Sequence, residues 1–300
     1  MTEFHPITAQ DFAWAAPIMR SSGYLCCGYA FVTQFMWSRS YNTHIARYGD
    51  WVLVRSDVGD AFHYLWPVGR GDEREAIEEL VRDAGSQGKP MALYSVSLEA
   101  KHQLEEWYPG RFDIRADRAD YDYIYEQNDL AELPGKRFQK KRNHVSRFVR
   151  ENPDWQFHPL TEADLPAVRT FNDAWSQLYE NKDNPGIQAE HEAIELLFQN
   201  FSRLDLRGGY VTAGGRIVAF SFGSPINDRV FDTHVEKALY DVEGAYNIIN
   251  REMARNVCAG FPLINREDDV GMEGLRRAKM SYNPIDFARK YSIEQKDFKG

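Results

Sequence analysis

Apolar and polar residues alternate in patterns that mark out elements along most of the 300-residue chain. In the first half, period-two stretches predict strands near Phe4–Ile7, Thr43–Arg47, Trp51–Arg55, Phe62–Trp66, Met91–Ser97 and Tyr121–Glu126. Helical spacing predicts helices over Asp11–Ser21, Tyr29–Arg39, Asp72–Ala84 and Glu99–Tyr108. The third carries Ile77, Leu80, Val81 and Ala84 as its apolar stripe. In the second half, strands Trp155–Pro159, Gly209–Ala213, Arg216–Pro225, Val230–Lys237, Pro262–Asn265 and Asp286–Tyr291 are expected. Helices Ala163–Tyr179, Ala189–Leu204, Ala245–Cys258 and Met272–Tyr282 separate them, and Gly214–Gly215 fits a hairpin turn.

The two halves share a signature. "FHPITAQDF" at Phe4–Phe12 returns 153 residues later as "FHPLTEADL" at Phe157–Leu165. Each copy reads as a strand end followed by a helix start, with Thr8 or Thr161 as N-cap and Asp11 or Asp164 completing a capping box. The coarse order repeats as well: strand, two helices, three strands, then helix, strand, helix, strand. This predicts an α/β chain of two related units.

Composition narrows the class. With 43% hydrophobic residues the chain can build real cores, and a net charge of −9 speaks against nonspecific coating of nucleic acid or anionic membrane. Cys26, Cys27 and Cys258 make no disulfide framework and no C-x-x-C zinc pair, which suits a reducing cytoplasm. The first residues lack the basic and apolar regions of a signal peptide. Ser21–Ser38 carries no charge over 18 residues, yet its serines, glycines, threonine and glutamine mark a buried segment rather than a membrane span. "GKP" at Gly88 and "HEAIE" at His191 fail the phosphate-loop and zincin patterns. The eight histidines form no close cluster, so no metal site is expected.

A resemblance rests on particular strings: "KKRNHVSRF", "HVEKAL", "GAYNIIN" and "NREDDVGMEGLRRAKMSYNP". These are similar to the family named after the C-terminal domain of phosphatidylglycerol lysyltransferase, most specifically from Gly135 to Tyr291. The element order likewise resembles the GNAT acyltransferase fold. The resemblance implies tandem GNAT-like domains, expected at 1–134 and 152–300 with a basic linker helix at 135–151. It also implies kinship to enzymes that move an aminoacyl group from aminoacyl-tRNA to a lipid or peptidoglycan precursor. The full lipid synthases carry a multi-span membrane portion that these residues lack.

The donor stays open between aminoacyl-tRNA and acyl-CoA. A CoA pyrophosphate needs backbone N–H groups at a helix N-terminus. "DVEGAYN" (Asp241–Asn247) and "WPVGRGDERE" around Gly69 and Gly71 set carboxylates there, which repel phosphate. The run Gly135–Arg150 holds seven lysines and arginines and no carboxylate. As a helix it puts Lys136, Lys140, His144 and Arg147 on one face. It reads either as a solvated linker or as a surface for a polyanion, a tRNA backbone or an anionic headgroup. Lys140, Arg142 and Asn143 are its candidate substrate contacts.

The remaining candidates lie near the C-terminus. Glu236 is the best base, with Tyr246 and Tyr282 as phenolic acids. Asn265 and Arg266 end a predicted inner strand, where α/β folds place ligands. Arg276 and Lys279 follow on a helix and could hold a phosphate or carboxylate. The leading reading is an aminoacyl- or acyltransferase acting on an amine or hydroxyl, with its site in the C-terminal domain. An acyl-CoA N-acetyltransferase and a non-catalytic ligand-binding module stand as alternatives.

Overall fold

The structure is a computed structural model that describes residues 2–179 and 185–296. The chain divides into two compact units: 1–122 with 268–272 and 287–300, and 123–267 with 273–286. The expected contiguous partition at 134 and 152 differs from this. The crossing points fall inside elements that the sequence treats as whole, because strand pairing, not chain order, decides which unit a segment joins.

The first unit opens with strand β1 (His5–Pro6) and helices α1 (Phe12–Arg20), α2 (Phe31–Met36) and α3 (Ser38–Tyr41). Strands β2 (Thr43–Tyr48), β3 (Trp51–Ser56) and β4 (Phe62–Leu65) follow. Helix α4 (Glu73–Ser86), β5 (Met91–Val96), α5 (Leu98–Trp107) and β6 (Phe112–Arg115) come next. In α4 the buried stripe is Ala76, Ile77, Leu80 and Ala84; Val81, expected on it, is exposed. Asp72 caps this helix by accepting from the Arg74 amide.

The second unit is built around strand β7 (Asp122–Glu126), helices α6 (Gln127–Glu132) and α7 (Gln139–Glu151), and strand β8 (Gln156–Pro159). Helices α8 (Leu165–Tyr179) and α9 (Pro185–Gln199) precede strands β9 (Arg207–Ala213), β10 (Arg216–Pro225) and β11 (Val230–Ala238). Helix α10 (Ala245–Asn256), β12 (Leu263–Asn265) and α11 (Glu273–Met280) lead to β13 (Asp286–Ala288). The last strand, β14 (Tyr291–Gln295), belongs to the first unit.

Both sheets have seven strands. The first runs β1-β2-β3-β4-β5-β14-β6, and the second, read from its opposite edge, runs β8-β9-β10-β11-β12-β7-β13. The orders match position for position, down to a parallel fourth and fifth strand, β4 with β5 and β11 with β12. The sixth strand of each sheet comes from the far half of the chain. That is why the single strand expected over Asp286–Tyr291 is two strands in two sheets. The paired capping boxes are present in the same geometry. Asp11 Oδ2 accepts from the Thr8 amide at 2.8 Å and its hydroxyl at 2.9 Å. Asp164 Oδ2 accepts from the Thr161 amide and hydroxyl at 2.9 and 2.6 Å.

The basic helix is α7, and it is part of the second unit rather than a linker. Phe138 and Phe148 are wholly buried and Val145 nearly so, giving the helix one apolar face. It packs so closely on the start of α10 that a side chain at Gly244 would have no room. A Cβ there would lie 2.6 Å from the His144 carbonyl oxygen, and the backbone φ of +82° favours glycine.

Candidate functional site

The second sheet opens at β11 and β12. Their parallel register runs from Val230↔Leu263 to Asp232↔Asn265 and then stops, while β11 continues to Ala238. On its other side β11 stays paired with β10 as far as Ala219↔Ala238. A bulge at the step from Phe222↔Val235 to Gly223↔Thr233 leaves His234 as an extra residue on β11. Bulges re-aim the side chains that follow them. Here they are those of Val235, Glu236 and Lys237. Phe220, opposite Lys237, packs against Phe171 of α8. Glu236, opposite Ser221, instead meets Asn250 of α10.

Glu236 is the hub. One carboxylate oxygen accepts from Arg266 Nη2 at 2.7 Å, and the other from Asn250 Nδ2 at 3.2 Å. Both side chains of the ion pair are 12% exposed. Burial lowers the Arg266 pKa, but Glu236 and the nearby phenols more than offset it, so the guanidinium is held charged. Three buried polar atoms here lack a hydrogen-bond partner among the described residues: Arg266 Nη1, Asn250 Oδ1 and the Ser221 hydroxyl. Unmet donors and acceptors in a dry interior cost free energy, and their grouping around one carboxylate marks a place built for polar contact with something else.

Tyr282 and Lys141 complete the group. The Tyr282 oxygen accepts from Asn247 Nδ2 at 2.7 Å, and Arg266 Cζ lies 5.1 Å from its ring centre. Burial raises its pKa to about 12, against the pull of Arg266, so the phenol keeps its proton. Lys141 Nζ sits 3.8 Å from the centre of the same ring. Burial first, then the Arg266 charge, depress its pKa to about 8, with Glu236 opposing. Lys141 was not singled out from sequence, although the signal was there. It falls on the apolar stripe Phe138–Val145–Phe148, where a cation is out of place.

The other expected residues have definite places. Asn265 is fully buried and its Oδ1 holds the Glu267 amide at 2.6 Å, in a turn where Glu267 takes a φ of +54°. Lys279 is 9% exposed and gives its ammonium to the Arg266 carbonyl at 2.5 Å, while Tyr125 donates to the Lys279 carbonyl at 2.8 Å. Lys279 thus fixes the backbone that carries Arg266. Arg276 is half-buried. Tyr246 is half-buried, its ring 5.5 Å from that of Tyr240. Burial and the Tyr240 hydrogen bond push its pKa up, while the Ala238 backbone bonds to its oxygen.

On α7, Arg142 donates to the carbonyls of Leu133 and Gly135, closing the turn that precedes the helix. Arg137 pairs with Asp129, and Arg147 with Glu151 and Glu243. Lys136, Lys140 and Asn143 are exposed. Glu243 stands beside the α10 N-terminus and also bonds His144 at 3.1 Å. The crowding at Gly244 and this carboxylate together disfavour a pyrophosphate in that position.

The family model for "Phosphatidylglycerol lysyltransferase, C-terminal" matches residues 25–294. The chain belongs to this family. A conserved protein of Bacteroides thetaiotaomicron is 35% identical, with a TM-score of 0.95 over 99% of this chain and 100% of that one. L-PGS from Bacillus licheniformis is 17% identical, with a TM-score of 0.68 over 97% of this chain and 93% of that one. A protein of Mycoplasmoides gallisepticum is 26% identical over 196 residues, and the match spans 63% of this chain and 61% of that relative's length. The fold is the α/β fold of that Bacillus licheniformis structure, with two mixed sheets. No helix among the described residues is long and apolar enough to cross a membrane.

Proposed function

We propose that the protein is an aminoacyl- or acyltransferase whose reaction centre is the Glu236–Arg266–Lys141–Tyr282 group. The observation that carries this reading is a half-buried amine and a guanidinium N–H, both without a hydrogen-bond partner among the described residues, around one largely buried carboxylate. Acyl transfer needs a donor for the oxyanion that develops on the attacked carbonyl, a base for the incoming nucleophile and an acid for the leaving group. In this reading Arg266 Nη1 meets the oxyanion, while Glu236 holds the guanidinium and Lys279 the backbone that carries it. Lys141 takes the proton from an acceptor amine or hydroxyl, a task for which a pKa of about 8 is well matched. The Tyr282 phenol, its oxygen already bonded by Asn247, supplies a proton to the leaving oxygen.

An aminoacyl ester, such as the 3′ ester of aminoacyl-tRNA, is the donor this reading favours over acyl-CoA. Support comes from the crowded α10 N-terminus with Glu243 beside it, and from membership of the family described as phosphatidylglycerol lysyltransferase, C-terminal. Lys136 and Lys140, the outward cations of α7, are the proposed contacts for a polyanionic donor.

The test presents purified protein with radiolabelled lysyl-tRNA and, separately, acetyl-CoA. Phosphatidylglycerol vesicles and soluble amine and hydroxyl acceptors are offered to each. Transfer from lysyl-tRNA that is lost in Arg266→Met supports the proposal. Transfer from acetyl-CoA alone would replace it with the N-acetyltransferase reading. No transfer from either, with ligand binding retained, would leave a binding module.

A further inference from the structure

Lysines with described side chains fall into two groups, and Lys141 fits neither. Those at least partly withdrawn from solvent have an oxygen acceptor: Lys89 on the Gly59 carbonyl, Lys101 on Glu105, Lys237 on Glu190, Lys279 on the Arg266 carbonyl and Lys290 on Asp122. Lys136, Lys140 and Lys296 are exposed, Lys296 with Asp113 at 3.3 Å. Lys141 is half-buried, and among the described residues its ammonium has neither hydrogen bond nor ion pair, only the face of Tyr282 at 3.8 Å. The charges that act on it are Arg266, which repels it, and Glu236, which Arg266 already engages.

We infer that Lys141 is itself a covalent modification site, an amine that takes an acyl group from a small activated acyl donor to become Nε-acyl-lysine. In the step, the neutral amine attacks the carbonyl carbon and the Nζ–C bond forms. The bond from that carbon to the leaving oxygen or sulfur breaks, the leaving group departs with the electron pair, and the spare Nζ proton passes to solvent. Arg266, whose Cζ lies 5.1 Å from the centre of the same Tyr282 ring, would offer its Nη1 to the transient oxyanion. The product is a neutral amide that no longer accepts a proton, so the modification would silence the base proposed above. The inference stands on the setting of Lys141 and does not require the aminoacyl donor.

The experiment treats the folded chain with p-nitrophenyl acetate from pH 6 to 11 and follows acetylation of Lys136, Lys140 and Lys141 by peptide mass spectrometry. Urea-unfolded protein is the baseline in which the three react alike. In the folded chain at pH 7, Lys141 should react about tenfold faster than Lys136 or Lys140. The larger neutral fraction that burial gives Lys141 is partly offset by the lower nucleophilicity of a weaker base. Its rate in the folded chain should level off above about pH 8, whereas in the unfolded baseline the same lysine keeps rising towards pH 10.5. Arg266→Met should bring the Lys141 rate down towards the others if the guanidinium assists. Equal rates for all three lysines, or a Lys141 slower than its neighbours, would overturn the inference. Lysyl transfer from tRNA is read separately, so either idea can fail while the other stands.

Discussion

Two lysines withdrawn from solvent, one in each unit, are held in opposite ways. Lys290 in the first unit donates to Asp122 at 2.6 Å and to Asp268 at 3.2 Å, with Cys27 Sγ at 3.5 Å. Burial works against its charge, but Asp122 above all, with Cys27, Cys26 and Asp268, raises its pKa well above the ordinary value. Asp122 is fully buried and also receives the Cys27 amide at 2.8 Å. Lys141 in the second unit has burial and a like charge against it, and among the described residues no ion pair, with Glu236 acting only from within its pair with Arg266. The first arrangement closes every bond and leaves the ammonium nothing further to do. The second keeps an amine poised to exchange a proton near neutral pH, at a cost in stability. Perturbed groups of the second kind cluster at reaction sites.

The comparison can be broken most forcefully at Lys290. Lys290→Met strands the Asp122 carboxylate in the interior and should cost about 3–5 kcal/mol, read by urea denaturation. A loss below about 1 kcal/mol would mean that the network is not what holds this part of the first unit. Next in size is Arg266→Lys, which keeps a cation for Glu236 but removes the planar fork and its second N–H. Single-turnover transfer should fall about 100-fold, with stability changed much less. Comparable losses in both would make Arg266 a structural residue only.

Lys141→Met should do the opposite of Lys290→Met and stabilise the chain, by about 1 kcal/mol at pH 7. The folded pKa of about 8 lies below the unfolded 10.5, so folding expels a proton between these values. The penalty is full below about pH 8 and fades as pH approaches 10.5. The advantage of the variant should therefore be constant below pH 8 and vanish near 10.5, as thermal unfolding across pH would show. The smallest effect compares the repeated helix entrances. Thr8→Ala and Thr161→Ala should each cost about 0.5 kcal/mol, because the aspartate still accepts from the backbone amide in both. Costs that differ by more than about 1 kcal/mol would show that the two copies are no longer equivalent.

Much of this fold was legible because periodicity and turn chemistry are local. The strands from Thr43 to Trp66 and the meander around Gly214–Gly215 follow from alternation alone. The capping boxes follow from four residues each. Less visible were β6 and α6, "FDIR" and "QNDLAE", which are short and polar and take their form from their neighbours. In the site, Glu236, Arg266 and Tyr282 were named from sequence, whereas Lys141, Asn250 and Asn247 were not. Charge along a chain does not say where donors are spent. Arg142 and Lys279 look like ligand contacts, yet they donate to the carbonyls of Leu133, Gly135 and Arg266. Lys141 looks like one more cation of a basic run, and its setting shows only when it is read on the stripe of Phe138, Val145 and Phe148, all of them buried.

The placement of β14 has a consequence for how the chain is made. Ile293 aligns with Leu93 on one side and with Ile114 on the other, so the strand that joins β5 to β6 arrives about two hundred residues after β5 in synthesis. Until it arrives, β5 and β6 each present an open edge to the gap between them, and open edges invite pairing with other chains. The growing polypeptide must shelter these edges while the whole second sheet is being produced. A chain shortened before Tyr291 would inherit that exposure permanently, and would be lost to aggregation or proteolysis even with every residue around Glu236 intact.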